Sequence, residues 1–325
     1  MLQPFAVEFR ISAPSACTYR FAKNYNVFYF EEPHTGPDSY EIIMQDGISV
    51  VIIHIENHHD DYKGRMTRIM DRFLKDQHIQ DYLCWYYTPM ALEYTAHLTP
   101  KFTVYDSMDE LSAFRFAPPQ LLELEEELFK KADVVFTGGH TLYQAKKDRH
   151  HNIHPFPSSI DKEHFRQARR KTTDSSDQQH IPHPRFGFFG VIDERFDIEL
   201  LKEVSARKPD WHFVIIGPVV KIDPAELPKA ENIHYLGPKK YDDLPHYISH
   251  WDIALVLFAI NESTEFIANN ANTFIAFGEE ELRKDSRKEW LMKVDEFLAD
   301  DSWDNTFWKM SLLIDTVKTN NGIYV

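Results

Sequence analysis

Short runs of β-branched and aromatic residues alternate with amphipathic stretches along most of this chain, and that alternation constrains the fold more than any other feature. Val27–Phe30, Val50–Ile53, Tyr82–Tyr86, Phe102–Tyr105 and Val134–Phe136 are apolar without polar alternation. That is the pattern of strands covered on both faces. Helical patterns lie between them. Met66, Ile69, Met70 and Phe73 fall at helical spacing within Arg65–Leu74. Pro118-Pro119 opens a stretch carrying Leu121, Leu122, Leu124, Leu128 and Phe129, and Thr141–Arg149 is a shorter helix. Proline suits a helix start because that N–H has no helical partner. The β-α-β-α order predicts an α/β fold with a parallel sheet and helices on both sides.

The alternation stops at Ala168–Pro184, ARRKTTDSSDQQHIPHP, which is polar and aperiodic and reads as an interdomain linker. It then restarts. Phe186–Phe189 is a strand ending in Gly190, and Asp197 caps a helix carrying Ile198, Leu201 and Val204. Phe213–Ile216 closes at Gly217-Pro218 and Ile233–Leu236 at Gly237. A helix at Leu244–Ser249 and a strand at Ile253–Phe258 follow, and Glu279–Val317 is helical with a turn near Asp300-Asp301-Ser302. The expected division is a doubly wound domain over 1–168, a linker over 169–184, and a second domain over 185–325 that includes the last helices.

Composition narrows the function. The 325 residues suit two domains, and 43% hydrophobic residues suffice for packed cores. Thirty-six basic and 51 acidic side chains give 36 − 51 = −15, which repels phosphate backbones and argues against a nucleic-acid partner. No apolar run approaches the roughly 20 residues needed to span a bilayer, and Met1–Arg20 has no signal-peptide pattern. Two cysteines, Cys17 and Cys84, form no framework, so a cytoplasmic setting is expected. His58-His59-Asp60-Asp61 and His150-His151 with His154 resemble metal ligands. They sit in polar segments and read as solvated loops, so no metal site is expected.

Several ordered segments resemble a bacterial glycosyltransferase group with the GT-B fold, made of two Rossmann-like domains. In the first half these are YDSMDELSAF (105–114), ADVVFTGG (132–139) and PFPSSID (155–161). In the second they are FGFFGVIDERFDIELL (186–201), FVIIGPVVKID (213–223), NIHYLGPKKYDDLPHYI (232–248) and WDIALVLFAINESTEFI (251–267). The match runs from about Phe21 to Ile267 and resumes from Ala271 through SWDNTFWKM (302–310). The resemblance implies transfer of a sugar from a nucleotide-diphosphate donor, held mainly by the second domain, to an acceptor on the first. It implies no cofactor beyond that substrate, and retention of anomeric configuration. The acceptor would be a surface glycan or its lipid-linked precursor, with peripheral membrane association as an accompanying option.

A diphosphate leaving group gains negative charge as the glycosidic bond breaks, and cations or backbone N–H groups at strand-to-helix turns stabilise it. Gly190 permits close backbone approach, Arg195 follows in the turn, and Lys221 lies beyond Gly217-Pro218. Glu262 is placed to accept ribose or sugar hydroxyls. Asp109 and Glu110, after the strand Phe102–Tyr105, are the catalytic candidates on the acceptor side. Each has a structural alternative. Arg195 can pair with Asp193 or Glu194, Lys221 can be a solvated surface lysine, and Asp109 and Glu110 can cap a helix. Gly138-Gly139 can hold a phosphate or line the cleft, with a plain turn as its alternative.

The chain departs from the family twice. After Ile267 only Ala268–Asn272 precedes the next helix, so roughly 30–40 family residues, about one βαβ unit, are missing and the second domain is truncated. At the start, Ala6–Arg20 (AVEFRISAPSACTYR) replaces a family segment resembling Trp-Asn-Phe-Val-Tyr-Gln-Arg-Pro-Gln-His and carries no strand–turn–helix logic. Permissible codons for Ala6–Thr18, read one nucleotide later, can spell that segment, which points to a local frame displacement. Two further readings stand beside the transferase: an inactive remnant binding at most a nucleotide or a partner, and a nucleotide-sugar epimerase of the same architecture.

Overall fold

The computed structural model describes residues 13–45, 47–56, 61–113, 117–170, 173–258, 270–284, 287–320 and 322. It divides into two compact units, Met1–Ile160 with Asp300–Val325, and Asp161–Ala299.

Among the described residues the first unit holds two four-stranded sheets. In one, β4 (Ile48–Ile55) pairs in parallel with β1 (Phe28–Phe30) and β2 (His34–Thr35), and antiparallel with β3 (Ser39–Gln45). The other is wholly parallel, in the order β5 (Leu83–Tyr86), β6 (Phe102–Ser107), β7 (Val134–Thr137), β8 (Ile153–Pro155). Helix α1 (Ala13–Phe21) precedes β1, and α2 (Tyr62–Asp76) joins β4 to β5. Helices α3 (Leu92–Thr95), α4 (Leu121–Lys131) and α5 (His140–Lys146) complete the crossovers. In α2 the buried residues are Met66, Ile69, Met70 and Phe73, the apolar stripe read from the sequence.

Successive strand residues face opposite ways, so the unit has a core on each face of its parallel strands. Cys84, Tyr86 and Tyr105 pack with α2 and α4 residues, whereas Trp85, Phe102, Val104 and Phe136 pack with residues of α1 and of α11 (Trp303–Asn320). Fully burying one such phenylalanine contributes about 1.5–3 kcal/mol.

Among the described residues the second unit holds one parallel sheet, in the order β11 (Ile233–Gly237), β10 (His212–Ile216), β9 (Arg185–Phe189), β12 (Ile253–Ala254). Its helices are α6 (Lys162–Arg166), α7 (Ile198–Arg207), α8 (Leu244–Ile248), α9 (Ala271–Arg283) and α10 (Arg287–Phe297). Phe186, Trp211 and Phe213 centre one face, while Val214, Ile216 and Trp251 centre the other. The described residues thus contain the expected α/β architecture with parallel sheets.

Four details differ from the sequence reading. Ala13–Phe21 is helical despite its unfamiliar text, with Cys17, Thr18 and Phe21 buried on one side. Within 168–184, Gln178 and Ile181 are buried, and Asp174 pairs with the buried Arg185 at 2.7 Å, so a polar segment serves as part of the second unit's packing. The strand expected over Ile253–Phe258 pairs in parallel only at Ile253 and Ala254, and Phe258 instead bridges antiparallel to Phe196. Helix α11 packs on the first unit: Phe307 meets Phe21 edge-on at 4.8 Å, Asp304 pairs with Arg20 at 2.6 Å, and Met310 and Ile314 are buried. The apolar stripe of α11 matches the face left by α1, and connectivity alone did not reveal this.

Candidate functional site

In the second unit, the carboxyl edge of the sheet is lined by glycine. β9 ends at Gly190 (φ 156°), β10 at Gly217 (φ 149°) and β11 at Gly237 (φ 68°). These angles favour residues without a Cβ. A Cβ on Gly217 would lie 1.7 Å from the Gly190 carbonyl oxygen, so the two turns approach at a distance that only glycine permits. Chain order along the sheet is third, second, first, fourth, which makes the space beyond β9 and β12 a topological switch point, where open α/β sheets bind ligands.

The turn between β9 and α7 carries the charges. Asp193 is buried and accepts from Arg195 Nε at 3.1 Å and from a terminal guanidinium nitrogen at 2.7 Å. Burial alone would raise the Asp193 carboxyl, but the Arg195 hydrogen bonds and charge, with Lys221 adding to them, hold it below its ordinary value. The Arg195 guanidinium lies 5.8 Å from the Phe258 ring centre. Lys221, at φ 63°, approaches Glu194 at 3.7 Å. Gly190, Arg195 and Lys221 therefore come to one edge of the sheet; Arg195 pairs with Asp193, the structural alternative expected for it, and Lys221 approaches Glu194, a neighbour the sequence reading did not name. Glu262 lies outside the described residues. A slot of about 250 Å³ beside this edge is lined by Ile192, Val219, Leu227, Tyr235 and the strand-end glycines Gly217 and Gly237.

In the first unit, Asp109 is exposed and Glu110 is half-buried after β6. Glu110 accepts from Ser112 Oγ at 2.6 Å and pairs with Lys146 at 3.0 Å. Lys146 is itself buried and pairs with buried Glu125 at 2.6 Å. Glu125 also accepts from Tyr105 Oη and Arg149, both at 2.7 Å. Burial raises the Glu125 carboxyl, yet Lys146, Tyr105 and Arg149 outweigh it and hold it below its ordinary value. Sequence reasoning missed this network, although Glu125 sits on the Leu121, Leu128 stripe of α4, where a lone carboxylate needs a buried cation. It also missed Asp106 and Ser107, whose Oδ1 and Oγ are buried without hydrogen-bond partners among the described residues. Gly138 has a packing reason, since a Cβ there would lie 2.1 Å from the Met108 carbonyl oxygen.

Among the described residues no group of three or more His, Cys, Asp or Glu could hold a metal. His150 and His154 are engaged by Asn152, and His58, His59 and Asp60 lie outside the described residues. No described helix is long and apolar enough to cross a membrane.

No protein-family model matches the chain. Over 107 residues it is 29% identical to TuaH of Bacillus subtilis, named as a glycosyltransferase of teichuronic acid biosynthesis. That match covers 32% of this chain and spans 27% of the length of TuaH. The structure is similar to a sucrose-phosphate synthase from Thermosynechococcus elongatus, with a TM-score of 0.61 at 12% identity, covering 98% of this chain and 93% of that one. It is also similar to the Escherichia coli trehalose-6-phosphate protein bound with UDP-2-fluoro glucose, with a TM-score of 0.62 at 11% identity, covering 98% and 95%. The expected architecture stands: this chain has the GT-B fold, and part of its sequence resembles a bacterial glycosyltransferase.

Proposed function

We propose that this chain binds a nucleotide-diphosphate sugar at the carboxyl edge of its second sheet and transfers the sugar to a glycan or lipid-linked acceptor. The observation that carries this reading is the close approach of the glycine turns at Gly190 and Gly217 beside Arg195 and Lys221. Turns without side chains would let backbone N–H groups approach a diphosphate, and two cations can offset the charge that develops on the leaving group. The uridine base is favoured because a protein of the same fold is bound with UDP-2-fluoro glucose. Glu262 would accept ribose or sugar hydroxyls. On the acceptor side, Asp109 and Glu110 follow β6 and would serve as the carboxylates, with Glu110 held in place by Lys146 and Ser112. The TuaH match favours a cell-surface polysaccharide as product, and a lipid-linked acceptor would bring the reaction to the cytoplasmic face of a membrane.

The test is thermal melting of the full chain with UDP, GDP and a UDP-sugar, followed by assay of sugar release. A ligand at a hundred times its dissociation constant adds about 2.7 kcal/mol. No stabilisation by any diphosphate overturns the reading. Stabilisation without sugar release favours a second one, a remnant that binds nucleotide without turnover. The short β12 favours that alternative, because among the described residues two paired positions, Ile253 and Ala254, hold the strand bordering the site.

A further inference from the structure

Residues 174–184 lie as a strap against one face of the second sheet, and Arg185 ties them down. Buried in β9, Arg185 donates through Nε to the Ile181 carbonyl at 2.8 Å. Its terminal nitrogens donate to Asp174 at 2.7 Å and to the Gln179 carbonyl at 3.4 Å. Trp251 donates its indole N–H to Gln178 at 2.7 Å. Asp177 accepts from the Tyr247 hydroxyl at 2.8 Å and pairs with Lys239 at 2.7 Å. Under these anchors Ile181 is buried against Val214, Ile216 and Trp251.

Two histidines stand beside that arginine. The register sets His212 of β10 opposite Arg185, and His234 of β11 opposite Val214. Side chains two apart in a strand share a face. Arg185, His212 and His234 therefore form one row across three strands, on the face that Ile181 covers. The two rings are stacked, 5.4 Å between centres, and Nδ1 of His212 lies 3.2 Å from Nε2 of His234. A hydrogen bond between imidazoles needs an acceptor nitrogen, so at least one ring is neutral while the contact stands. Burial lowers the pKa of both rings. Arg185 adds to this at His212, where Asp210 opposes it, and His212, His180 of the strap and Arg185 add to it at His234.

The remaining charges nearby do not supply the same response. Burial raises the Asp174 and Asp177 carboxyls, but Arg185 and Gln178 at the first, and Lys239 and Tyr247 at the second, hold both below the ordinary value. Both anchors thus stay ionised in mild acid. His183 meets Asp252 at 2.6 Å, and a charge on His250 favours ionised Asp174, so a proton on either histidine adds attraction.

We propose that His212 and His234 form an acid-sensitive latch: a proton on the second ring completes a row of three cations with Arg185 and releases residues 174–184 from the sheet. Lifting the strap removes His180 and part of the cover, so both rings bind protons near the ordinary histidine value of about 6.5. The closed strap withholds one of those protons. Its stability is complete above that value and declines as pH falls below it, by up to about tenfold in the opening constant per pH unit for each proton taken up. Opening exposes the apolar surface of Val214, Tyr247 and Trp251.

Amide hydrogen exchange of the full chain tests the latch. The Gln178, Gln179 and Ile181 N–H groups bond within the strap, to Ser175, Ser175 and Gln178, and report its opening. Corrected for the intrinsic effect of pH, their protection should fall about tenfold from about pH 7.5 to about pH 5.5. Phe213 in the same sheet and Tyr143 in the first unit should keep theirs. His212→Asn/His234→Gln retains two polar side chains that cannot ionise, and should cut the fall to about twofold or less. His234→Gln alone removes the partner of His212 and should act in the same direction, which keeps the test independent of how well the double variant folds. Constant protection of the strap in the parent, an equal loss at Phe213, or an unchanged fall in the variants overturns the proposal.

Discussion

Trp85 donates its indole N–H to Oδ2 of Asp106 at 3.2 Å, while Oδ1 of that carboxylate is buried with no hydrogen-bond partner among the described residues. Burial pushes the Asp106 carboxyl up to about 7, and the Trp85 hydrogen bond only partly opposes it. The folded chain therefore keeps a proton that an unfolded aspartate releases near about 3.9. The associated stability is complete below about pH 4 and is lost as pH rises through about 7. Asp106→Asn keeps an acceptor for Trp85 and cannot ionise. It should melt higher than the parent at pH 8, by a few kcal/mol in stability, and close to the parent at pH 4. Thermal melts at the two pH values decide, and an equal difference at both would count against the buried charge.

The pair Lys146 and Glu125 makes the opposite case, a buried charge fully engaged. Lys146→Met leaves Glu125 with Arg149 and Tyr105 but without its shortest ionic contact. Breaking one partner of such a pair costs about 3–5 kcal/mol. The double variant Lys146→Met/Glu125→Gln should recover much of that loss. Because the Glu125 carboxyl is depressed, the contribution is present above the ordinary carboxylate range and is lost as pH falls through the folded value. Urea titrations of the parent and both variants at neutral pH measure the recovery.

These two sites show where the sequence was legible. The central strands were readable because each is a compact apolar run, and eight of the expected runs coincide with β1, β4, β5, β6, β7, β9, β10 and β11. The antiparallel β3, SYEIIMQ, was not, since only its pairing with β4 makes it a strand. Helix α1 was hidden by unfamiliar text, although Cys17 and Phe21 have the spacing of one helical face. Strand-end glycines pointed to a carboxyl edge. Asp193 and Glu194 could be named in advance as partners of Arg195, but the approach of Lys221 to Glu194 depends on side-chain geometry that the spacing does not show. Asp106 looked like any polar strand end, because no local pattern separates a hydrated carboxylate from one enclosed by Trp85 and its neighbours.

Glycine positions in the second unit separate steric from conformational need. A Cβ on Gly187 would sit 1.9 Å from the Trp251 ring, in the middle of a buried sheet. Gly187→Ala should abolish cooperative melting of this unit, because neither the β9 backbone nor the packed indole can give way by that much. Gly237 has φ 68° and open space around its Cβ position. Gly237→Ala should fold and cost about 1–2 kcal/mol from the backbone angle alone. Circular dichroism melts of the two variants compare them directly.

Lys221 allows nucleotide binding to be separated from folding. Its φ of 63° is a strained angle for a residue with a Cβ, and its ammonium lies 3.7 Å from Glu194 beside the Arg195 turn. Lys221→Gly relieves the angle, so the ligand-free chain should gain up to about 1 kcal/mol, offset in part by the lost surface pair. The same change removes one positive charge from the edge where a diphosphate is proposed to bind. UDP affinity should then fall about tenfold, equivalent to about 1.4 kcal/mol, with a weaker dependence on salt. A merely structural lysine would move stability and leave the UDP dissociation constant alone. Arg195→Ala is the harsher companion, since it also strands the buried Asp193. For that reason it is paired with Asp193→Asn, and calorimetric titration with UDP at low and high salt reads both variants against the parent.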